Sequence, residues 1–441
     1  MADLVCKGVS VLTDTQAKLE AGRCLMCEDP PCVAACPAQV PVKHFIRAIR
    51  FDLPRRAINL IRDRNVFAGV CGLACPVDEL CVGACRSTDL STPIAIGALQ
   101  HYAAVRALRS GRAGQRGPGS GQRVAVIGGG PSGLAAAAEL ARLGHRPTVF
   151  EKMRRAGGVC TYGVPKSRVP QDLVAGEIEY VKSLGVEIKT SSYFGAGATV
   201  DDLHAAGYKA VYWAVGAQTD PRPDVTGWEK LMGVFSGKGL LDYFSACELG
   251  EATDKLPVAD SVIIVGGGGV AMDLAMAAAT RGAQEIDLVC LESPREMPAY
   301  HTEVEEARAA GVRFHTRSMP VELTGENGKV TGLRAVRIRW KEPDKFVPSN
   351  AETIAGTEYW LPGAMVLFAI GARPDVGLAK VLPGVKLDDD GRVLVDPETQ
   401  ATSRPGVFAG GDVAASGGAT IVEAVAEGKR AGQAIDAYLR S

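Results

Sequence analysis

The sequence predicts an α/β fold in which a cysteine-rich helical domain precedes two Rossmann-like dinucleotide-binding domains, the second inserted in the first. Three observations predict this organisation. After residue 122, short β-branched runs alternate with alanine-rich runs, a pattern typical of helices packed on a parallel sheet. A strand-like run, a glycine cluster and a helical run follow one another twice, beginning at Arg123 and at Ser261. Eight of the 12 cysteines lie between Cys24 and Cys85.

Length and composition limit the possible classes of protein. With 441 residues, of which 46% are hydrophobic and 22% charged, the chain is long enough for about three domains and is not intrinsically disordered. The 49 Lys and Arg balance the 50 Asp and Glu, so no overall basic field attracts nucleic acid or anionic lipid. No signal-peptide pattern and no membrane-length apolar run is present. We therefore expect a cytoplasmic protein whose partners include neither nucleic acid nor a membrane.

Two cysteine runs dominate the first 112 residues. They read Cys24-x2-Cys27-x4-Cys32-x3-Cys36-Pro37 and Cys71-x3-Cys75-Pro76-x4-Cys81-x3-Cys85. Without an export signal the thiols stay reduced, so metal ligation is favoured over disulfides. Eight thiolates are the number that two 4Fe–4S clusters require, and the gaps and Cys-Pro pairs favour iron–sulfur over zinc, the main rival. The spacing leaves open which thiolate serves which cluster.

The first glycine cluster has the pattern of a dinucleotide-binding loop. Gly128 to Gly133 fit G-x-G-x-x-G between a buried-type strand and a helix, whose N-terminus supplies N–H groups to phosphates. The next strand ends at Glu151, where a carboxylate accepts a hydrogen bond from a ribose hydroxyl. Flavin is favoured here over nicotinamide because Gly157-Gly158 follows and because Gly410-Gly411-Asp412 and the helix after Thr420 suit the rest of an FAD molecule.

The second glycine cluster predicts a nicotinamide nucleotide site. Gly266 to Ala271 fit G-x-G-x-x-A, and the following strand ends at Glu292. A carboxylate at that position binds an unphosphorylated ribose and repels a 2′-phosphate, so we expect NAD rather than NADP. Arg295 instead favours NADP, since it is close enough in sequence to pair with a 2′-phosphate.

These signals divide the chain into five segments. A helical iron–sulfur domain covers 1–112 and a Gly/Ser/Arg-rich linker covers 113–122. An FAD-binding domain covers 123–258 and 361–441, and an NAD-binding domain covers the intervening 259–360. The strand-like runs of the last 80 residues, Met365 to Ile370, Arg392 to Val395 and Gly406 to Ala409, are expected to complete the FAD-binding domain.

The whole chain resembles a family of flavin and iron–sulfur electron-transfer proteins. It is similar to the small subunit of glutamate synthase, to the N-terminal half of dihydropyrimidine dehydrogenase and to the separate NAD-dependent bacterial counterpart of that half. The motifs that carry the resemblance are Cys24 to Pro37, Val70 to Pro76, Leu80 to Cys85 and both glycine loops.

The resemblance implies a ligand assignment that spacing alone does not give. One cluster would use Cys24, Cys27, Cys32 and Cys85. The other would use Cys36, Cys75, Cys81 and Gln100, leaving Cys71 spare. Dihydropyrimidine dehydrogenases resemble this chain in having Gln at the fourth position, whereas glutamate synthases have Glu. Arg168 matches a flavin-contacting arginine, and relatives that use NADPH have basic residues in place of Leu291-Glu292.

The predicted function is that of an electron conduit. NADH gives a hydride to FAD, and 4Fe–4S clusters carry single electrons to a partner subunit, expected to hold FMN, further clusters and the pyrimidine substrate site. This describes a subunit of an NAD-dependent dihydropyrimidine dehydrogenase in a hetero-oligomer. The alternatives are the glutamate synthase small subunit and, in a different class, a redox-inactive assembly module that binds NAD and zinc.

The predicted site residues follow from these motifs, and no catalytic residue is predicted because hydride transfer needs no protein acid or base. The predicted FAD-binding residues are Gly128, Gly129, Gly130, Pro131, Ser132, Gly133, Glu151, Lys152, Gly158, Val159, Arg168, Gly411, Asp412, Thr420 and Ile421. The predicted NAD-binding residues are Gly266, Gly267, Gly268, Gly269, Val270, Ala271 and Glu292. The predicted metal ligands are Cys24, Cys27, Cys32, Cys85, Cys36, Cys75, Cys81 and Gln100.

Overall fold

The structure is a computed structural model, and it describes residues 11–111, 114–119, 121–194, 199–228, 230–252, 256–375, 377–418 and 420–441. The chain forms two compact units. One comprises residues 1–218 and 374–441, and the other comprises residues 219–373. Among the described residues, no helix combines the length and apolar character that a membrane crossing requires.

The first unit begins with short helices, as the cysteine-rich region predicts. They are α1 (Asp14–Gly22), α2 (Pro31–Ala34), α3 (Val42–Arg50), α4 (Pro54–Arg62), α5 (Ala68–Ala74), a 3-10 turn (Arg86–Asp89) and α6 (Ile96–Arg109). Helices α3 and α4 are amphipathic, with one face of each buried. Helix α1 begins with a capping box in which Thr13 and Gln16 satisfy each other's backbone N–H groups.

A doubly wound parallel sheet follows in the same unit. Its elements are β1 (Arg123–Ile127), α7 (Pro131–Arg142), β2 (Arg146–Phe150), α8 (Val159–Tyr162), α9 (Gln171–Ser183), β3 (Glu187–Lys189), α10 (Val200–Ala205) and β4 (Ala210–Trp213). The strand order is β14-β4-β1-β2-β3, where β14 (Val407–Ala409) comes from the C-terminal segment of the chain. Ile127 pairs in register with both Phe150 and Trp213, so the strands end at one edge of the sheet.

The second unit contains a parallel and an antiparallel sheet. Its elements are β5 (Val234–Ser236), α11 (Gly237–Glu248), β6 (Ser261–Val265), α12 (Gly269–Thr280), β7 (Glu285–Val289), α13 (His301–Ala309), β8 (Arg313–His315), β9 (Ser318–Glu326), β10 (Lys329–Trp340), a 3-10 turn (Pro348–Asn350), β11 (Ala351–Thr353), β12 (Tyr359–Pro362) and β13 (Met365–Phe368). The parallel order is β5-β13-β6-β7-β8, and β10 pairs antiparallel with β9, β11 and β12.

The chain returns to the first unit through α14 (Leu378–Val381), β14 and α15 (Ile421–Arg440). The strand-like run predicted at Arg392 to Val395 makes only isolated bridges, through Val393 and Val395. The predicted strand at Met365 lies in the second unit, because Val366 pairs with Ile263 of β6 and with Val234 of β5. Expecting this strand to complete the FAD-binding domain was therefore wrong: an apolar run does not specify which sheet it joins.

The structural units also extend beyond the segment 259–360 that the sequence assigned to the NAD-binding domain. The second unit begins at residue 219 and ends at residue 373. The reason is local pairing: β5 and α11 precede the glycine loop in sequence, yet β5 forms one edge of the parallel sheet.

One continuous apolar core of the first unit joins the cysteine-bearing helices to the dinucleotide-binding sheet. Phe45, Phe67 and Leu99 of the helical region belong to the same buried cluster as Leu134 of α7 and Leu173 of α9. The segment predicted as a linker is fixed against the sheet. Its Arg116 donates hydrogen bonds to the carbonyl oxygens of Gly144 and His145, at 2.9 and 2.8 Å.

Candidate cofactor sites

The first glycine loop lies at the carboxyl edge of the parallel sheet of the first unit. Gly128 follows β1 with φ of +106°, a conformation that side-chain-bearing residues rarely adopt. Its N–H donates to the carbonyl oxygen of Phe150 at 2.8 Å. Gly133 packs so closely that a Cβ there would clash with the carbonyl oxygen of Gly128. The loop therefore has the tight turn and close helix approach that a pyrophosphate site requires.

Glu151 closes one side of this loop. Its side chain accepts N–H hydrogen bonds from Gly129 at 2.7 Å and from Met153 at 2.8 Å. Burial raises the pKa of the Glu151 carboxyl, while these two hydrogen bonds act in the opposite direction. The carboxylate is thus fixed at the end of β2, where it can accept hydrogen bonds from ribose hydroxyls.

Two further glycine segments meet the loop. The N–H of Gly157 donates to the carbonyl oxygen of Gly129 at 2.7 Å, and a Cβ on Gly158 would lie 2.8 Å from Cα of Gly130. From the C-terminal segment, a Cβ on Gly411 would lie 3.2 Å from Cβ of Ser132. The structure thus brings together three segments that are far apart in sequence, as an extended dinucleotide requires.

The contacts described for the remaining predicted FAD residues are with residues outside the glycine loop. Lys152 is exposed and donates to the side-chain oxygen of Gln218. Val159 is 48% exposed at the start of α8, Arg168 is half-buried and Asp412 is exposed. Thr420 caps α15 through a reciprocal pair of hydrogen bonds with Glu423, and Ile421 is the first residue of that helix.

Sequence reasoning missed the residue that holds the Gly410-Gly411 turn. Glu427 of α15 is 2% exposed and accepts the N–H of Gly411 at 2.6 Å. Burial raises the pKa of Glu427, and the Gly411 hydrogen bond opposes this rise. A second missed contact joins Ser132 to Tyr212 of β4 through their hydroxyl oxygens at 2.6 Å. Both contacts link residues that no local sequence pattern connects.

The second glycine loop repeats the geometry in the second unit. Gly266 follows β6 with φ of +134°, and its N–H donates to the carbonyl oxygen of Val289 at 2.9 Å. Gly268 caps α12 and has open space where a Cβ would lie. Gly269 and Val270 begin α12, with Val270 42% exposed, and Ala271 is fully buried beneath them.

Glu292 lies beside this loop, as the spacing predicts. A Cβ on Gly267 would lie 2.8 Å from Oε2 of Glu292. Burial raises the pKa of Glu292, and the neighbouring Glu296 raises it further while Arg317 lowers it. Arg317 is itself paired with Glu296 at 2.6 Å, and Arg295 is exposed. The carboxylate of Glu292 therefore lies beside the loop, and a second acid, Glu303, lies near the start of α12, where a Cβ on Gly269 would be 3.1 Å from its Oε2.

The first group of cysteines lines an open-sided cavity in the helical region. Cys24, Cys27, Cys32 and Cys85 contribute to its wall, together with apolar residues of α3. The cavity encloses about 380 Å³ of atom-free space, part of it open to solvent. Burial raises the pKa of Cys32 to about 11, and the nearby Cys24 and Cys85 add to this. The four thiols are the set that the resemblance implies for one cluster.

The second group contains four cysteines rather than three. Cys71 lies close enough to Cys75 to raise the pKa of its thiol, and Cys36 and Cys81 lie close enough to raise it as well. These contacts and burial raise its pKa well above the ordinary value, and burial raises the pKa of Cys81 to about 12. Cys71, implied to be spare, is 2% exposed and lies within this group.

Gln100 lies on the helix that packs against the second cysteine group. It is 8% exposed, and its amide nitrogen donates to the carbonyl oxygen of Ala68 at 2.8 Å. Helices α5 and α6 approach at their backbones, since a Cβ on Gly72 would lie 2.8 Å from the carbonyl oxygen of Gly97. Gln100, one turn after Gly97, is therefore held against the helix that carries Cys71.

The donor sets fit iron–sulfur clusters. The eleven described cysteines are free, so none of them is withdrawn into a disulfide. Cys24, Cys27, Cys32 and Cys85 line one cavity, and Cys36, Cys71 and Cys81 lie close enough to Cys75 to act on its pKa. Thiolates are soft ligands and suit iron–sulfur clusters.

Glu177 of α9 is the most buried acid near the cysteines, and sequence reasoning missed it. It accepts the N–H groups of Gly69 at 2.6 Å and Val70 at 3.2 Å, in the first turn of α5. Burial raises its pKa to about 7, while the two N–H groups and Arg62 lower it. The only sequence signal for this role is an acidic residue on the apolar side of an amphipathic helix, and that signal is weak.

Comparison with known proteins agrees with this architecture. Residues 122–428 match the family model for pyridine nucleotide-disulphide oxidoreductases, with a further match over residues 80–190. This chain belongs to that family. Residues 5–112 match the model for dihydropyrimidine dehydrogenase domain II, 4Fe-4S cluster.

Three relatives cover nearly the whole chain. The chain is 32% identical to the glutamate synthase [NADPH] small chain of Escherichia coli K12, over 97% of this chain and 92% of that one. It is 33% identical to the NAD-dependent dihydropyrimidine dehydrogenase subunit PreT of the same strain, over 97% and 95%. It is 38% identical to the NADP(+)-dependent formate dehydrogenase subunit beta of Moorella thermoacetica, but spans only 60% of that protein.

Solved structures show the same fold at low identity. The thioredoxin reductase of T. acidophilum matches 72% of this chain and 98% of its own, with a TM-score of 0.56 and 20% identity. FprA of Mycobacterium tuberculosis in complex with NADPH matches 73% and 85%, with a TM-score of 0.59 and 17% identity. The predicted α/β fold is confirmed.

These matches also confirm the predicted classes of cofactor. The chain is an oxidoreductase with sites for FAD, a pyridine nucleotide and 4Fe–4S clusters. The predicted resemblance is confirmed at the level of the family shared by glutamate synthase small chains and PreT subunits.

Proposed function

We propose that this chain is the NADH-oxidising subunit of a two-component oxidoreductase and passes electrons through FAD and two 4Fe–4S clusters to a partner subunit. The observation that carries the proposal is that one continuous apolar core holds the first glycine loop and both cysteine groups. FAD accepts a hydride as an electron pair and releases electrons singly, and 4Fe–4S clusters carry one electron each.

The sites form a series from the flavin loop towards the surface. Cys160, two residues after Gly158, lies close enough to Cys71 in the second cysteine group for Cys71 to raise its pKa. Cys81 of the second group in turn lies close enough to Cys32 of the first group for Cys32 to raise its pKa. The first group lines a cavity that opens to solvent. This order supports transfer from the flavin loop, through the second group, to the first.

The protein residues bind and orient the cofactors. The N-terminal amides of α7 would bind the pyrophosphate and Glu151 would accept hydrogen bonds from the ribose hydroxyls. Glu427 fixes the Gly411 turn by accepting the N–H of Gly411. Cys24, Cys27, Cys32 and Cys85 would hold one cluster, and Cys36, Cys75, Cys81 and Gln100 the other. Arg168 would contact the flavin.

We infer that the electron donor is NADH. Glu292 places a carboxylate beside the second glycine loop, where it favours two free ribose hydroxyls and repels a 2′-phosphate. Two of the relatives are named for NADP or NADPH and one for NAD. The steady-state ratio of kcat/KM for NADH and NADPH tests this assignment, and we expect it to favour NADH by at least about tenfold.

We propose that the partner reduces or oxidises a pyrimidine, and that it holds FMN and further clusters. Both units of this chain are built around cofactor loops, so we assign the substrate site to the partner. The amide of Gln100 favours the pyrimidine reaction, because glutamate synthase subunits resemble this chain but have Glu there. Glutamate synthesis is the alternative, supported by the 32% identity to a glutamate synthase small chain. The free cysteines favour the cytoplasm, where thiols stay reduced.

Two experiments test the proposal. Anaerobically purified protein should be coloured, contain iron, sulfide and FAD, and bleach on addition of NADH; a colourless protein would instead indicate a zinc-binding assembly module. Mixed with its partner subunit, it should consume NADH when uracil is added. Consumption with glutamine and 2-oxoglutarate, but not with uracil, would overturn the pyrimidine assignment in favour of glutamate synthesis.

A further inference from the structure

Helices α3 and α4 form a basic surface next to the first cysteine group. Residues 42–64 contain seven Lys or Arg and two Asp, a net charge of +5, in a chain whose total is −1. Arg62 is buried, so the remaining six basic residues supply the field at the surface. The basic character is therefore local and does not reflect the charge of the molecule.

Four exposed arginines of these helices, Arg47, Arg50, Arg55 and Arg56, are named here the arginine face. Within the part of the chain that the structure describes, none of the four forms an ion pair with a carboxylate. Of the two acids in this stretch, Asp52 is already paired with Lys18 at 3.0 Å. The arginine face thus retains its charge for a partner.

Apolar side chains lie within the arginine face. Phe51, in the turn between the two helices, is 60% exposed, and Leu53 is 47% exposed. The guanidinium groups of Arg47 and Arg50 lie 6.0 and 5.9 Å from the centre of the Phe51 ring. Exposed aromatic and arginine side chains are the residues that contribute most to protein–protein interfaces.

The arginine face borders the first cysteine group. Val42, Lys43 and Ile46 of α3 line the cavity that contains the four cysteines, and Lys43 donates to the carbonyl oxygen of Cys27 at 2.8 Å. Arg47 follows Lys43 by four residues, so it lies one turn further along the same side of α3 and is exposed next to the cavity. A protein bound to the arginine face would lie next to the outermost centre of the series.

We propose that the arginine face is the docking surface for the electron-accepting partner, and that the partner presents an acidic surface around a one-electron redox centre. This inference rests on the proposed function, because it concerns the exit for electrons that enter from NADH. Charge complementarity steers the encounter, and Phe51 and Leu53 supply the apolar contact. Like-charge repulsion disfavours a basic partner.

The test uses two one-electron carriers of opposite charge as probes. Rubredoxin is a small acidic iron protein and cytochrome c is a basic haem protein; each takes one electron, so one NADH, releasing NAD⁺ and a proton, reduces two molecules of either. The variant pair is Arg47→Glu/Arg55→Glu, one change from each helix. Arg50 is left unchanged because its charge acts on Cys24. The matched control is Lys209→Glu/Lys386→Glu, with the same change of charge at two other exposed positions of the first unit.

We expect the arginine pair to lower the second-order rate constant for rubredoxin at least about tenfold at low ionic strength and to raise that for cytochrome c. The control should stay within about twofold for both, and the loss should largely disappear at about 1 M salt. Arg47→Gln/Arg55→Gln should give a smaller loss in the same direction. Equal losses in the arginine and control pairs, or an unchanged rubredoxin rate, would overturn the proposal.

The same samples separate this inference from the proposed function. Bleaching of the protein's own absorption by NADH should be equal in the wild type and all variants, since none of the changed residues touches a cofactor site. If the wild type does not bleach, the proposed function fails. If it bleaches and the arginine pair reduces rubredoxin at the wild-type rate, only the docking surface fails.

Discussion

Replacement of Glu177 should change the stability of the first unit in a manner that depends on pH. The carboxyl is fully buried and accepts two backbone N–H groups from the first turn of α5. Its pKa is raised from 4.5 to about 7, mainly by burial. Glu177→Gln keeps the size of the side chain but removes its titration, and its amide oxygen alone must serve both donors.

The sign of the effect follows from proton binding. Between pH 4.5 and pH 7 the folded protein keeps a proton on Glu177 that the unfolded chain has lost, so wild-type stability falls as pH rises through this range. At 1.36 kcal/mol per pH unit, the shift amounts to about 3 kcal/mol, and no further change occurs above pH 7. The variant lacks this slope. Its stability deficit relative to wild type should therefore shrink by about 3 kcal/mol between pH 5 and pH 8.

Thermal release of FAD, followed by flavin fluorescence, measures this effect. For a unit of this size, about 1 kcal/mol corresponds to about 2 °C, so the difference in Tm between wild type and Glu177→Gln should narrow by about 6 °C from pH 5 to pH 8. Glu179→Gln on the same helix is the control. Glu179 is 67% exposed and pairs with Lys182, so the Tm of this control variant should stay within about 1 °C of that of the wild type. A Tm difference for Glu177→Gln that is constant across pH would refute the assigned titration.

Four further variants test the cofactor sites. Glu292→Ser should raise KM for NADH about 10- to 100-fold, the range expected for a lost hydrogen bond to a charged group, and should reduce the preference over NADPH in steady-state assays. Cys71→Ala should keep the full iron and sulfide content, and loss of about half the iron would show that Cys71 is a ligand. Gln100→Glu should keep the iron but lower the reduction potential of one cluster in a potentiometric EPR titration, because an anionic ligand stabilises the oxidised state. Glu427→Ala should weaken FAD binding by about 10- to 100-fold in a fluorescence titration, because the buried N–H of Gly411 loses its acceptor at a cost of about 1–3 kcal/mol.

The parts of the fold that the sequence predicts are those set by local rules. The turn at Gly128 needs positive φ, and the strand and helix on either side have the periodicity of their elements. Glu151 was predictable for the same reason, since the distance from the loop to the end of the next strand is nearly fixed in a βαβ unit. These residues are also the ones whose contacts lie within about 25 residues of sequence.

The parts that sequence does not predict depend on long-range pairing. Glu177 contacts residues 108 and 107 positions away, and nothing near it in sequence indicates an acceptor role. Met365 begins a strand whose composition suits either sheet, and pairing with β5 and β6 decides between them. The glycine-rich stretch before β1 has the composition of a linker, yet Arg116 fastens it to the α7–β2 turn.

The position of α5 is fixed by packing contacts that do not depend on a bound cluster. Burial raises the pKa of Cys81 to about 12, so deprotonating the thiols for ligation opposes cluster binding. The polypeptide offsets part of this cost by fixing the helix independently of any cluster. Gly72 allows backbone contact with α6 on one side, and Glu177 holds the first turn from the side of the flavin domain. Because both contacts join α5 to elements of the same core, the distance between flavin loop and cysteines is set by packing rather than by the cofactors.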